Sequence, residues 1–196
     1  SSDLYGRSKL MTEWMLRDAA AAHRDFRHAA LRYFNVAGAD PNGRSGQSTP
    51  GATNLIKVCC EVAVGKRAVL NIFGDDYETE DGTCVRDFIH VSDLADAHLA
   101  ALTHLKGGGE SLIVNCGYGR GFSVREVVAA VERAAGHALP TRIAPRRAGD
   151  PPSMVAETKA IRRLLEWAPR YDDLDTIVET ALAWEKSLPA SCDVNN

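Results

Sequence analysis

The sequence predicts an α/β protein built on a mainly parallel sheet. Three observations carry that expectation. Short apolar runs with strand character alternate with helical stretches along most of the chain. Leu4, Leu10, Met11, Trp14, Met15 and Ala19 recur at helical spacing. Ser123-Val124-Arg125-Glu126 reads as a capping box that opens a helix.

Each element follows in order. Residues 4–22 read as a helix that Asp3 can cap. His28 to Asn35 is an apolar run with aromatics, expected as one buried strand. Ala37 to Gly51 is rich in Gly, Pro, Asn and Ser and reads as an irregular loop. Asn54 to Val64 reads as a helix ended by Gly65, and Val69 to Phe73 as a strand. An acidic loop, Gly74 to Thr83, leads to an extended stretch over Val85 to Val91. Ser92 is expected to cap a helix to about Leu105, closed by Gly107-Gly108-Gly109. Ser111 to Asn115 reads as a strand, and the capping box opens a helix to about Ala135. A strand near Arg142 and Ile143 and helices near 157–166 and 173–186 finish the chain.

Composition narrows the function classes. The 196 residues are 45% hydrophobic and 25% charged, which suits a packed core and excludes a disordered tail, a collagen or a coiled coil. Lys and Arg number 23 against 26 Asp and Glu, a net charge of −3 that gives no overall pull on nucleic acid or an anionic membrane. No apolar run approaches the roughly 18 residues of a membrane helix. Cys59, Cys60, Cys84, Cys116 and Cys192 form no C-x-x-C pair, so reduced thiols in a cytosolic protein are expected. The chain begins Ser1-Ser2-Asp3 without an initiator Met or a signal-peptide pattern, and is expected to start within something larger.

Four segments carry candidate chemistry. Tyr5 and Lys9 are four apart and share one helix face. An ammonium beside a phenol favours the phenolate, which suits general acid/base work; an incidental surface pair is the plainer alternative. Leu31 to Ala39, Val85 to Ala95 and Pro145 to Pro151 are the other three. Each alone also reads as a strand leaving for a loop, a strand entering a helix or a charged turn. Arg86 and Arg147 stand at strand ends or loops, where arginine suits bidentate recognition of phosphate oxygens. Metal binding is not expected. The acidic loop has Asp81 and Asp87 where a calcium loop needs Gly and Glu, and the six His show no ligand spacing. Trp14, Trp167 and Trp184 sit in helical patterns and are expected in the core, as is His90 unless it is a hydrogen-bonding residue.

Taken together, Y-x-x-x-K at Tyr5, R-Y-F-N-x-x-G at Arg32 and V-R-D-F-I-H-V-x-D-L-A at Val85 resemble the extended short-chain dehydrogenase/reductase family acting on nucleotide sugars. The acidic insertion between Phe73 and Asp87 is similar to that of its UDP-hexose 4-epimerase branch. Ala63 to Arg67 and Asn115 to Val124 strengthen the match, which covers nearly the whole chain and fades after about Pro189. The resemblance implies the remainder of a Rossmann-type doubly wound parallel sheet plus a smaller α/β substrate domain. It implies interconversion of UDP-galactose and UDP-glucose through a transient 4-keto sugar, with NAD carrying the hydride.

Residue roles follow from the resemblance alone. Tyr5 would accept the proton of the sugar 4-hydroxyl and Lys9 would hold the nicotinamide ribose. Phe34 matches a cofactor contact. Asn35, Asn54, Leu55, Asn71 and Phe73 match positions around the sugar nucleotide. Arg86 and Arg147 match diphosphate-binding arginines, and Asp150 a uridine-ribose contact. Met154 falls where some members carry a bulky aromatic beside the hexose; a flexible Met leaves N-acetylated hexoses open. A cytoplasmic enzyme and a possible homodimer are implied, with residues 4–22 explained equally as an interface helix or as core packing.

The sequence departs from the family in one large respect. No G-x-x-G-x-x-G turn precedes Tyr5, and the family's upstream Ser or Thr is also absent. The resemblance then makes this a C-terminal portion, inactive alone. Residues 1–38 and 85–118 would complete a cofactor domain, and 39–84 and 119–196 would form the UDP-sugar domain. Half a sheet leaves an unpaired edge, so the isolated chain is expected to aggregate or stay partly unfolded. Two alternatives stay open: an epimerase of another UDP-sugar (an N-acetylhexosamine or a pentose), and a non-catalytic UDP-sugar-binding remnant.

Overall fold

A computed structural model describes residues 4–189. Helix α1 spans Leu4–Ala22; the expected cap Asp3 lies outside the described residues, as does Cys192. The chain continues through strands β1 (Ala29–Tyr33) and β2 (Asn35–Ala37), helix α2 (Leu55–Ala63), β3 (Leu70–Phe73), β4 (Val85–His90) and α3 (Val91–Lys106). Then come β5 (Leu112–Cys116), β6 (Gly121–Ser123), α4 (Val124–Ala135), β7 (Thr141–Ala144), β8 (Ser153–Met154), α5 (Lys159–Leu165) and α6 (Leu174–Ser187).

The expected α/β alternation is present, and parallel pairing dominates. β1 pairs with β5, β2 with β4, β3 with β7 and β8 with β4, all parallel; β6 lies antiparallel on the other edge of β4. The strand expected over 28–35 is two. It breaks at Phe34, so that β1 and β2 serve different sheets. The run is interrupted only by Arg32 between its polar ends His28 and Asn35, and periodicity alone does not mark such a switch.

Helices α2, α4 and α6 pack on one another around Ile56, Cys59, Val127, Val131, Ile177 and Val178, all buried. The capping box forms as expected. Ser123 Oγ accepts the Glu126 N–H at 3.0 Å, and Glu126 Oε2 accepts the Ser123 N–H at 2.6 Å. The cap of α3 is corrected: His90, not Ser92, is the N-cap, and its Nδ1 accepts the Ser92 N–H at 3.1 Å. With Nδ1 an acceptor, Nε2 carries the proton toward Thr180 Oγ1, 3.1 Å away. Burial pushes the His90 pKa down despite Asp93 and Asp40, which agrees with a neutral ring.

Two further expectations need correction. Trp14 is 52% exposed rather than in the core, while Trp167 is buried and Trp184 half-buried. The apolar residues of α1 also face outward: Leu4, Met11 and Met15 are all exposed. The one buried residue of α1 is Glu13, which Arg32 of β1 binds through Nε at 2.6 Å. Helical spacing identifies a stripe but not what covers it.

A buried ion cluster joins α2 to α6. Glu185 is 2% exposed and meets both Lys57 and Lys66, the latter at 2.8 Å. Lys57 also reaches Glu61 at 3.4 Å. Burial alone would raise the Glu185 pKa, but hydrogen bonds from the two lysines outweigh it and hold the carboxyl below its ordinary value. A depressed carboxylate contributes stability above the unfolded-state pKa and loses it as pH falls through the folded value. Glu185→Ala is expected to cost about 3–5 kcal/mol in urea denaturation, because Lys57 is left buried and under-paired. The variant should also lose less stability on acidification than the parent. Equal stability of the two at pH 7 would contradict the assignment.

Candidate functional site

A cleft of about 460 Å³ opens beside β3, β4 and the start of α2. That volume lies in the range of small-ligand sites, about 300–1,000 Å³. Its wall includes Asn35, Asn54, Leu55, Asn71, Phe73, Arg86, Arg147 and Asp150, eight of the residues expected from the sequence.

Local structure explains each position. Asn35 opens β2, and its Nδ2 donates to the Asp87 carbonyl at 3.1 Å, which leaves Oδ1 available. Asn54 is the N-cap of α2 but makes no side-chain cap bond; its Oδ1 accepts from Gln47 Nε2 at 3.0 Å. The first N–H groups of α2 beside Leu55 therefore lack a side-chain cap on the rim of the cleft. Asn71 Oδ1 accepts from Arg142 Nε and Nη2 at 3.1 and 3.0 Å, so its amide NH2 remains free to donate. Arg147 to Asp150 forms a tight turn in which the Asp150 N–H donates to the Arg147 carbonyl at 3.3 Å. Gly149 sits there at φ +85°, which a type II turn demands at that corner.

The charges of the cleft are arranged for an anion. Arg86 is mostly buried and spends Nη1 on neutral acceptors, the Val85 and Pro151 carbonyls, each at 2.8 Å. Its Nη2 stands 3.7 Å from Asp150 Oδ1. Arg147 has no carboxylate within 4 Å among the described residues; its guanidinium lies over the Phe73 ring, 3.8 Å from the centroid. Arg86 and Arg147 thus line the same cleft as the Asp150 carboxylate, and guanidinium forks suit phosphate oxygens. Among the described residues no group of three or more His, Cys, Asp or Glu is placed to hold a metal ion.

Other expected residues lie elsewhere. Tyr5 is 73% exposed on α1, with Lys9 Nζ 5.1 Å from its ring centroid. The two share a face as their spacing requires, but neither lines the cleft. Phe34 is half-buried at the break between β1 and β2. Met154, on β8, pairs in register with Arg86 and is 40% exposed outside the cleft wall. Arg67 and Cys84 line the cleft without having been singled out. Arg67 is taken by Glu61 and by the Ala52 carbonyl at 2.8 Å, a pairing across a turn that spacing does not reveal.

The remaining motif residues tie the scaffold together. Tyr118 Oη donates to Asp93 Oδ2 at 2.6 Å and accepts the His90 N–H at 3.0 Å. Asp93 also accepts the N–H groups of Arg170 and Tyr171, both at 2.9 Å. Cys59, Cys60, Cys84 and Cys116 are buried free thiols, and burial raises the pKa of Cys60 and of Cys116 to about 12. Such thiols are inert rather than nucleophilic. Among the described residues no helix is long and apolar enough to cross a membrane.

The profile of the NAD dependent epimerase/dehydratase family matches residues 1–117. A UDP-glucose 4-epimerase of Azospirillum brasilense is 62% identical over 95% of this chain and 53% of its own length. The crystal structure of a UDP-glucose 4-epimerase from Brucella ovis in complex with NAD is 48% identical. It superposes with a TM-score of 0.87 over 91% of this chain and 55% of that one. The UDP-Glc/GlcNAc 4-epimerase from Campylobacter jejuni is 55% identical, with a TM-score of 0.77 over 94% of this chain and 56% of that one. The chain spans about half the length of the curated relatives it matches.

The paired cations give a first test. Millimolar pyrophosphate is expected to raise the melting temperature of the protein, with the shift shrinking as salt screens the site. Arg147→Ala should remove most of the shift. A parent with no shift would contradict an anion site between Arg86 and Arg147.

Proposed function

Because the chain belongs to the NAD dependent epimerase/dehydratase family, we propose that it supplies the sugar-nucleotide site of a UDP-glucose 4-epimerase. The observation that carries the reading is the convergence of Arg86, Arg147, Asp150, Phe73 and three asparagines on one cleft. In this reading residues 39–84 and 119–196 form the UDP-sugar domain and residues 1–38 and 85–118 the C-terminal part of the cofactor domain, from which Asn35 and Arg86 reach into the cleft.

The roles follow from chemistry. Arg86 and Arg147 neutralise the diphosphate, and Asp150 accepts hydroxyl hydrogens of the ribose. Asn35 and Asn54 offer amides, which donate as well as accept and so suit a hydroxyl in either epimeric position. Anchoring the UDP places binding energy away from the reacting carbon, which leaves the hexose free to turn over. Tyr5 takes the proton of the 4-hydroxyl and returns it, while the Lys9 ammonium on the same helix face stabilises the phenolate oxygen.

The exposed phenol and ammonium of α1 form a donor set that fits a ribose diol, and with Phe34 they would hold the nicotinamide end of NAD. NAD, when bound, supplies reversible hydride exchange at the sugar C4. The same reading makes this a cytoplasmic enzyme, which the four buried free thiols among the described residues support. The exposed Leu4, Met11 and Met15 of α1 support pairing with a second subunit.

A second substrate, a UDP-N-acetylhexosamine, is favoured by one observation. Met154 is flexible and exposed beside Arg86, and so is able to yield to an N-acetyl group. The Campylobacter jejuni relative is named for both sugars.

Interconversion of UDP-galactose and UDP-glucose by the whole protein with NAD is the expected activity. Binding of NAD without that interconversion would overturn the reading. Tyr5→Phe is expected to lower kcat about 100-fold or more, with KM for UDP-galactose changed less than about threefold. An unchanged kcat would remove Tyr5 from the proton-transfer role.

A further inference from the structure

Asp87 of β4 has no part in the binding roles above, yet it is fully buried and meets three separate segments. Its Oδ1 accepts the Tyr118 N–H at 3.1 Å. Its Oδ2 accepts the Gly119 N–H at 3.0 Å and the Ala156 N–H at 3.2 Å. Its backbone carbonyl accepts the side chain of Asn35 at 3.1 Å. The chain between β5 and β6 approaches so closely that a Cβ on Gly117 would stand 2.8 Å from both Asp87 Oδ2 and the Ala156 side chain.

The segment 150–156 carries Asp150 at one end and Met154 near the other. Its first half has other ties to β4. The Val85 N–H donates to the Pro152 carbonyl at 2.8 Å, Arg86 donates to the Pro151 carbonyl at 2.8 Å, and β8 is only two residues long. The bond from Ala156 to Asp87 closes its far end. A carboxylate is an acceptor only, and a charged acceptor binds N–H groups about twice as strongly as a neutral one.

We propose that Asp87 is a positioning residue for sugar-nucleotide binding: its carboxylate clamps segment 150–156 to β4 and so sets the placement of Asp150 opposite Arg86. The inference rests on the function proposed above. Asn at this position would present an NH2 to donor N–H groups and leave one oxygen for three of them. Asp87 acts through the segment and touches no ligand itself.

The test uses the whole protein. UDP is titrated by calorimetry into the parent, Asp87→Asn, Gly117→Ala and Val131→Ala, and the KM and kcat for UDP-galactose are measured beside it. Gly117→Ala drives a methyl between the carboxylate and Ala156, and it serves where Asp87→Asn fails to fold. Val131→Ala hollows the core under α4, far in kind from the clamp, and reports what lost stability alone does. The expected result is a UDP Kd and a KM about tenfold higher in Asp87→Asn and Gly117→Ala, with kcat lowered less than about threefold and Val131→Ala near the parent. Parental affinity in the two clamp variants, or an equal loss in Val131→Ala, would overturn the clamp. A parent that binds no UDP would instead sink the function on which the clamp rests.

Discussion

A buried polar group has to find a partner, and in this protein β4 concentrates that requirement. Asp87 and His90 are fully buried on it, and Asp93 is fully buried one turn into the helix that follows. Left unmatched, such groups cost several kcal/mol each. Their partners are drawn from the chain after β5, from the residues before α6, from α6 itself and from the segment beyond β8. The strand's ladder binds β2, β6 and β8, while its polar side chains bind other segments. The same strand carries Arg86 and Phe88 on the wall of the cleft.

The two ends of the candidate chemistry differ in setting. The cleft residues sit on strand ends and a tight turn, each braced by a hydrogen bond to the scaffold. Tyr5 and Lys9 stand on a helix that touches the rest of the described chain mainly through Glu13 and Arg32. Glu13 is held below the ordinary carboxylate range by its hydrogen bond with Arg32, against the opposing effect of burial. The outward apolar side chains of α1 are the reverse of what a helix does when it packs on its own core. Binding of the sugar nucleotide and proton transfer are thus assigned to separate parts of the fold.

Much of this was legible in the sequence. Alternation of strand and helix signals led to the α/β class, and Ser123 with Glu126 marked the start of α4 because a capping box is a local device. Arg86 and Arg147 were legible as strand-end or loop arginines suited to phosphate, but their gathering with the other six cleft residues was legible only through resemblance, since nothing in local spacing brings Asn35 beside Arg147. What stayed hidden depended on long-range pairing. The switch of sheets at Phe34 lies inside one short run of strand character, with no Gly or Pro to mark it. β6 and β8 are too short for a period to show. His90 takes the cap of α3 from Ser92 because a neutral, buried imidazole nitrogen needs a donor. Trp14 falls on a helical stripe, and a stripe does not say which partner covers it. The clamp at Asp87 was invisible because its donors are backbone N–H groups of residues far along the chain.

In the proposed function Arg86 and Arg147 together receive the diphosphate of a UDP-sugar. Side-chain Nε–H resonances of these two arginines, followed by NMR as UDP is added, test it most directly. Both are expected to move together along one saturating curve, with Arg147 leaving the face of Phe73. Saturation by UDP with either resonance unmoved would contradict it.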